Sequence, residues 1–300
     1  MRFGTPVSGL DRRTSRYYTR AMPDTAPSEP IDRLLPLAPG RARLARRDLA
    51  EGLRRSWMWW ALALQDIRLR YRGSALGPLW LTISTLVMVV AMGFIYARLF
   101  QTDTRSYMPY LTVGLIVWQL ISTLITDGCQ TFTASEAVIQ QVPIPFSIHA
   151  YRVVCRNFII FAHSLVLVPI GLAALRIPVG WRAIEAVAGG AVIAVNGVWI
   201  AILLGMFSAR FRDIPPIVAS FVQVAFFVTP VFWPIEALGE YRGIAEYNPL
   251  FAAIDVIRAP LLGQATAATS WPVLLAATVV GCAVSFALFA RFRSRIAYWV

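Results

Sequence analysis

Six apolar stretches decide what this chain can fold into. They run over residues 79–100, 109–126, 153–175, 183–208, 216–233 and 271–290, and each holds at most one formally charged residue. A helix needs about 20 predominantly apolar residues to cross a bilayer, because every backbone N–H and C=O must find its partner inside the segment. Composition points the same way: 57% of residues are hydrophobic and 15% charged, with a mean hydropathy of +0.60. The expected fold is an all-α membrane protein. It has six transmembrane helices preceded by an amphipathic interfacial helix, with short re-entrant or gate helices before the last span.

Charge sets the orientation. All 28 basic residues are Arg, and the net charge is +12. Residues 1–78 carry 15 Arg against 7 Asp and Glu, a net +8. A basic segment beside a span stays in the cytoplasm and is drawn to anionic lipid, at about 1 kcal/mol per Arg. Nucleic acid is the competing partner for such charge, but these arginines adjoin a span, so no nucleic-acid partner is expected. With both termini cytoplasmic, 22 Arg lie inside and 6 outside. Without the N-terminal region the count is 7 to 6, so the orientation rests on the two ends.

The lack of any lysine excludes a P-loop lysine. If nucleotide hydrolysis drives this protein, another polypeptide carries the nucleotide site. Cys129, Cys155 and Cys282 lie in or beside apolar runs and read as packing residues. With His149 and His163 they match no zinc spacing, so neither metal nor cofactor is expected in this chain. The first 30 residues show no apolar core of a cleaved signal peptide.

Residues 1–40 are rich in Pro, Arg and Ser and read as a disordered basic cytoplasmic tail. In residues 41–72, Leu49, Leu53, Trp57, Trp60, Leu64, Ile67 and Tyr71 recur at steps of four and three. At 100° per residue they form one stripe, the pattern of an amphipathic interfacial helix. Residues 73–300 then form the transmembrane domain. Pro78 suits the first turn of the first span, where its missing N–H costs nothing.

Two linking segments carry structure of their own. In 127–150, Thr133 to Glu136 can start a short helix that Pro143 and Pro145 end. In 234–270, the apolar stretch Leu250–Leu262 is too short to span and is interrupted by Asp255 and Arg258. It reads as an interfacial or re-entrant piece broken at Pro260.

No catalytic constellation is legible: no paired carboxylates in a span, no metal cluster, no nucleophile elbow. Arg152, Arg156 and His163 share one face of the third span and read as polar contacts satisfied inside the bundle. Glu185 sits near a span end, and Asp127 and Asp213 fall in loops. This disfavours ion-coupled transport. Gln119, Ser122 and Thr126 share one face of the second span, Ser220 and Gln223 one face of the fifth. These faces suit either a path for a hydroxyl-rich substrate or interhelical hydrogen bonds. Gly197, Ala201 and Gly205 form a row for close backbone approach, within the subunit or across a dimer. Aromatic residues gather near the span ends, where interfacial belts form. Some offer flat apolar surfaces to sugar rings. The candidate channel lining is Trp80, Tyr96, Trp118, Gln119, Ser122, Gln223, Phe227 and Trp233.

Four stretches, in order, carry a resemblance: DIRLRYRGSALGPLWLTISTLVM from residue 66, SEAVIQQVPIPFSIHAYRVVCRN from 135, FRDIPPIVASFVQVAFFVTPVFWP from 211 and YNPLFAAIDVIRAPLLG from 247. Together they resemble the permease subunits of type-2 ABC exporters that move polysaccharides such as O-antigen, capsule and teichoic acid. The likeness covers about residues 50–295.

The resemblance implies a homodimer around a shared channel in the bacterial inner membrane, with two copies of a separate ATP-binding subunit on its cytoplasmic side. It implies coupling contacts to that ATPase at Glu136, Ile139 and Gln140, and an exit gate at Asn248, Pro249 and Leu250. The implied cargo is a lipid-linked polysaccharide on a polyprenyl pyrophosphate carrier. Arg68, Arg70 and Arg72, with Tyr71, are then the expected pyrophosphate contacts, since arginine binds phosphate bidentately. The same arginines also suit simple anchoring of the first span. Three rival readings are an exporter of a small lipid or drug, a secondary carrier, and a membrane-bound glycan-modifying enzyme.

Overall fold

A computed structural model describes residues 39–74, 77, 79–176 and 180–300. The expected disordered tail lies outside the described residues up to position 38, as does Pro78. Among the described residues all regular structure is helical. In chain order the α-helices are α1 (Pro39–Arg54), α2 (Ser56–Arg70), α3 (Leu79–Leu99), α4 (Thr104–Cys129), α5 (Glu136–Gln141), α6 (Ser147–Leu165) and α7 (Leu167–Ala174). They continue as α8 (Ala183–Arg210), α9 (Ile214–Val228), α10 (Arg242–Glu246), α11 (Pro249–Leu261), α12 (Ser270–Phe292) and α13 (Ile296–Trp299).

Among the described residues, five helices are long and apolar enough to cross a membrane: α3, α4, the α6–α7 rod, α8 and the helix running from Ser270. The fifth expected span, 216–233, is only the 15-residue α9. At 1.5 Å per residue α9 is about 22 Å long, short of the roughly 30 Å hydrocarbon core. Pro230 explains the early stop. It has no N–H to continue the ladder, and it pushes the preceding residue out of the helical region. Thr229 accordingly sits in extended backbone, with φ −88° and ψ 138°.

The expected single helix over 41–72 is two helices, because α1 ends at Arg54 and α2 begins at Ser56. The expected stripe is split: Leu49, Leu64, Ile67 and Tyr71 are half-buried, and Leu49 packs against the core. Leu53, Trp57 and Trp60 are exposed, Trp57 at 69%. The face turned to the bundle is built from small residues, Ala45, Gly52 and Ala63, together with Asp48. A Cβ on Gly52 would clash with the Ser147 side chain.

Two helices are buried on all sides. Helix α4 packs against α3, α6, α8, α9 and α11. Helix α11 buries every residue from Phe251 to Pro260. Both are apolar around most of their circumference, which suits a helix only where protein surrounds it. The helix ends beside the expected break at Pro260: α11 runs to Leu261 and closes on Leu262 and Gly263. The Gly197, Ala201, Gly205 row of α8 serves packing within the chain. Gly197 lies against Leu124 and Val154, Gly205 against Phe132, and Ala201 meets Gly128 backbone to backbone.

Candidate functional site

The polar chemistry of this fold gathers at the two ends of α4. At its C-terminal end stands a chain of partly buried charges, with Arg70 at its exposed edge. Asp66 on α2 accepts from Arg152 Nε at 2.7 Å and from Arg156 Nη1 at 2.9 Å, both on α6. Arg152 also pairs with Asp66 through Nη2, which makes the contact bidentate. Arg156 Nη2 donates to Asp127 Oδ2 at 2.8 Å, and Asn157 Nδ2 donates to the same oxygen at 3.1 Å. Arg70 Nη2 stands 4.0 Å from Asp127 Oδ1, the loosest link. Three arginines face two carboxylates, so one positive charge is left over.

A second carboxylate anchor lies beside it. Asp48 on α1 accepts from the backbone N–H groups of Ser147 at 3.0 Å and Phe146 at 3.2 Å, at the start of α6. It also accepts from Arg293 Nε at 2.6 Å. A buried carboxylate at a helix N-terminus is favoured by the unpaired N–H groups there.

Next to the charge chain is a pocket of 240 Å³ between the end of α2 and helices α3, α4 and α6. Its lining includes Arg70, Tyr71, Trp80, Gln119, Thr123 and Asn157. Tyr71 Oη and Asn157 Oδ1 are buried without a hydrogen-bond partner, as is Arg156 Nε nearby. Such a group costs about 1–3 kcal/mol when left unsatisfied. Burial pushes the Tyr71 phenol pKa above its ordinary value, and Arg70 partly offsets this. The hydroxyl is therefore a donor at neutral pH.

The N-terminal third of α4 is held differently. Residues 229–233, after α9, present backbone carbonyls that side chains cap. Tyr107 Oη donates to Phe232 O, Tyr110 Oη to Trp233 O at 3.0 Å, and Arg258 Nη1 to Pro230 O at 2.9 Å. The Arg258 guanidinium also lies over the Tyr110 ring, 4.0 Å from its centroid. Gly114 lets this segment approach, since a Cβ there would stand 2.5 Å from Val231 O. Asp255 accepts from Ser270 Oγ at 2.7 Å and from Ala267 N at 2.9 Å.

The expected site residues divide between these places. Arg68, Arg70 and Arg72 are all exposed, and of the three only Arg70 lines the small pocket, with Tyr71, Trp80 and Gln119. Tyr96, Trp118 and Phe227 belong to an aromatic cluster centred on Phe226 and Phe232, with centroid spacings of 5.2–5.6 Å. Trp233 Nε1 donates to Phe227 O at 3.0 Å. Ser122 and Thr126 donate back into their own helix, and Gln223 is exposed on α9. Asn248 caps α11: its Oδ1 accepts from Leu250 N at 2.9 Å, and Pro249 follows at the first helical position. Glu136 and Gln140 are exposed on α5 and bond to each other at 3.2 Å. Ile139 lines a groove of 440 Å³ that Leu44, Pro143 and Arg293 also border.

Two expectations need correction. Arg152 and Arg156 are satisfied inside the bundle, but His163 is exposed and bonds only to its own helix, with Nδ1 2.7 Å from Ile159 O. Asp127 is not in a loop, because α4 runs on to Cys129 and carries it into the last turn. Sequence reasoning missed Asp66, Asp127 and Asn157 as a connected set. A signal was present for Asp66, the lone acid ahead of three arginines in DIRLRYR.

These features define a class: a multi-pass helical membrane protein, its polar groups gathered at the two ends of a buried central helix. The comparisons identify the family it belongs with. The model of the family described as "ABC-2 type transporter" matches residues 58–262, and the chain belongs to that family. An O-antigen export system permease protein RfbA of Klebsiella pneumoniae is 26% identical over 197 residues, covering 63% of this chain and 74% of that protein. Its namesake in Myxococcus xanthus is 27% identical over 184 residues, covering 59% and 68%. The chain is thus a non-catalytic permease subunit in the bacterial inner membrane, and ATP hydrolysis belongs to a separate ATP-binding partner.

Proposed function

We propose that this chain is the membrane subunit of an exporter that moves a lipid-linked, O-antigen-like polysaccharide across the inner membrane. The observation that carries the reading is the gathering of Arg70, Tyr71, Trp80 and Gln119 around one pocket at the mouth of α3. Cationic, hydroxyl and indole groups there suit a phosphate joined to a sugar. The names of the two relatives support the same cargo.

In this reading two copies pair around a shared path, each with an ATP-binding subunit docked at Glu136, Ile139 and Gln140. Both termini face the cytoplasm. Residues 1–40 form a cytoplasmic tail and 41–72 the interfacial segment that gates lateral access. Residues 73–300 form the permease, with 127–150 as coupling loop and 234–270 as outer gate. Helix α9 together with residues 229–233 makes the sixth crossing. Helices α10 and α11 form the gate near Asn248, Pro249 and Leu250, with α11 re-entrant. Trp80, Tyr96, Trp118, Gln119, Ser122, Gln223, Phe227 and Trp233 line the path. Arg68, Arg70 and Arg72, with Tyr71, meet the carrier's pyrophosphate. No cofactor is held by this chain.

The test is capture of the assembled complex from native membranes, with mass analysis of bound protein and lipid. The reading expects an ATP-binding subunit and a polyprenyl-linked glycan. A short-chain lipid or drug in place of the glycan would overturn the cargo and leave the family intact.

A further inference from the structure

From the charge chain and the adjoining pocket, we infer that Asp127 is an exchangeable counter-ion: a lipid-borne diphosphate entering the 240 Å³ pocket takes Arg70 from it. This rests on the proposed cargo and assigns the residues that select it.

Four observations converge. The links of the chain are unequal. Arg152 and Arg156 hold Asp66 and Asp127 at 2.7–2.9 Å, whereas Arg70 stands 4.0 Å from Asp127. Arg70 is the member that can leave without breaking a short contact. It is also the one that lines the pocket. The cluster carries one positive charge more than its two carboxylates balance, so an incoming anion is not repelled overall.

Two further residues of the lining have unused polar atoms. Asn157 is 2% exposed. Its amide orientation is fixed, because both neighbours of Nδ2, Asp127 Oδ2 and Val153 O, are acceptors. That leaves Oδ1 buried as an acceptor with nothing to accept from. Tyr71 Oη is buried with nothing to donate to. A phosphate oxygen satisfies the tyrosine. A water or sugar hydroxyl accompanying it satisfies the asparagine. Size fits the same ligand: the pocket is smaller than the 300–1,000 Å³ typical of a whole small-molecule site, which suits a head group whose tail and glycan lie elsewhere.

Selectivity follows from competition. A neutral alcohol cannot outbid Asp127 for a guanidinium. A diphosphate can, since it offers more charge and more acceptor oxygens than one carboxylate. Asp127 thereby sets a threshold that rejects carriers lacking the diphosphate.

The test uses the complete transporter, with its ATP-binding subunit, in lipid nanodiscs. Binding of a polyprenyl diphosphate is measured against the matching polyprenol and against phosphatidylglycerol. Tyr71→Phe is the cleanest variant, because its hydroxyl makes no bond in the unliganded protein. It should leave thermal stability unchanged or raised and weaken diphosphate binding about tenfold. Arg70→Gln should weaken it at least as much, and Asp127→Asn should tighten it several-fold and raise polyprenol binding by a larger factor, so that the two lipids are told apart less well. Diphosphate binding that is indifferent to Tyr71→Phe and Arg70→Gln would overturn the pocket assignment while leaving the cargo intact. Weaker binding in Asp127→Asn, with the protein still assembled, would overturn the exchange. Equal displacement by phosphatidylglycerol would overturn the cargo-selective role. Failure of the parent to bind any diphosphate lipid would instead strike the cargo itself.

Discussion

The two ends of α4 solve the same problem in opposite ways. Tyr107 and Asp127 are separated by about 30 Å along the helix axis, close to the thickness of a hydrocarbon core. At the Asp127 end, charged side chains answer one another through Asp66, Arg152 and Arg156. At the Tyr107 end the buried Arg258 is held by a backbone carbonyl and two aromatic faces. Carbonyls capped by side chains fix a loop in one place. Ion pairs with a spare arginine offer a partner that another anion can take. The first arrangement suits a permanent bend and the second suits a site that must open.

That contrast predicts unequal responses to substitution. The largest effect belongs to Asp66→Asn. It strips Arg152 of its counter-charge, leaves Arg156 with Asp127 alone, and should cost about 3–5 kcal/mol, read as a lower unfolding midpoint in detergent. A midpoint unchanged from the parent would mean that the charge chain carries no stability. At the other end, Arg258→Met keeps the apolar stem over Tyr110 but leaves the Pro230 carbonyl bare, for about 1–3 kcal/mol. If Arg258→Met proves costlier than Asp66→Asn, the assignment of the two ends is reversed. Asn248→Ala removes the cap of α11 and its bond to Thr229, and should cost about 1 kcal/mol. Arg72→Gln touches neither end and should shift stability by less than about 0.5 kcal/mol. Any larger loss would place Arg72 in a contact that the fold does not give it.

The spans were legible because a 20-residue apolar run has few alternatives in a lipid solvent. The limits of α3, α8 and α12 fall within a few residues of the expected ones. At α1–α2 periodicity did not show the break at Arg55, nor that the bundle takes small residues for close approach and leaves Leu53, Trp57 and Trp60 outward. A hydrophobic stripe cannot distinguish lipid from protein as its partner. The site was half legible. Arg70 and Tyr71 stood out because charge at a span edge is expensive. Asp66 and Asp127 did not, because their partners on α6 lie 86 and 29 residues away. Pairing across helices leaves no local pattern. The buried α11 was read as short and interrupted by charge, which is what its sequence looks like. Only the fold supplies the carbonyl and hydroxyl partners that let Arg258 and Asp255 sit inside.

One reconstitution bears on the whole account. Purified chain is placed in sealed liposomes with lipid-linked polysaccharide on one face, with and without its ATP-binding subunit and ATP. Glycan should reach the far side only when subunit and nucleotide are both present. Accumulation across the membrane by the lone chain would show that it energises itself, and a motor-driven permease would be the wrong description.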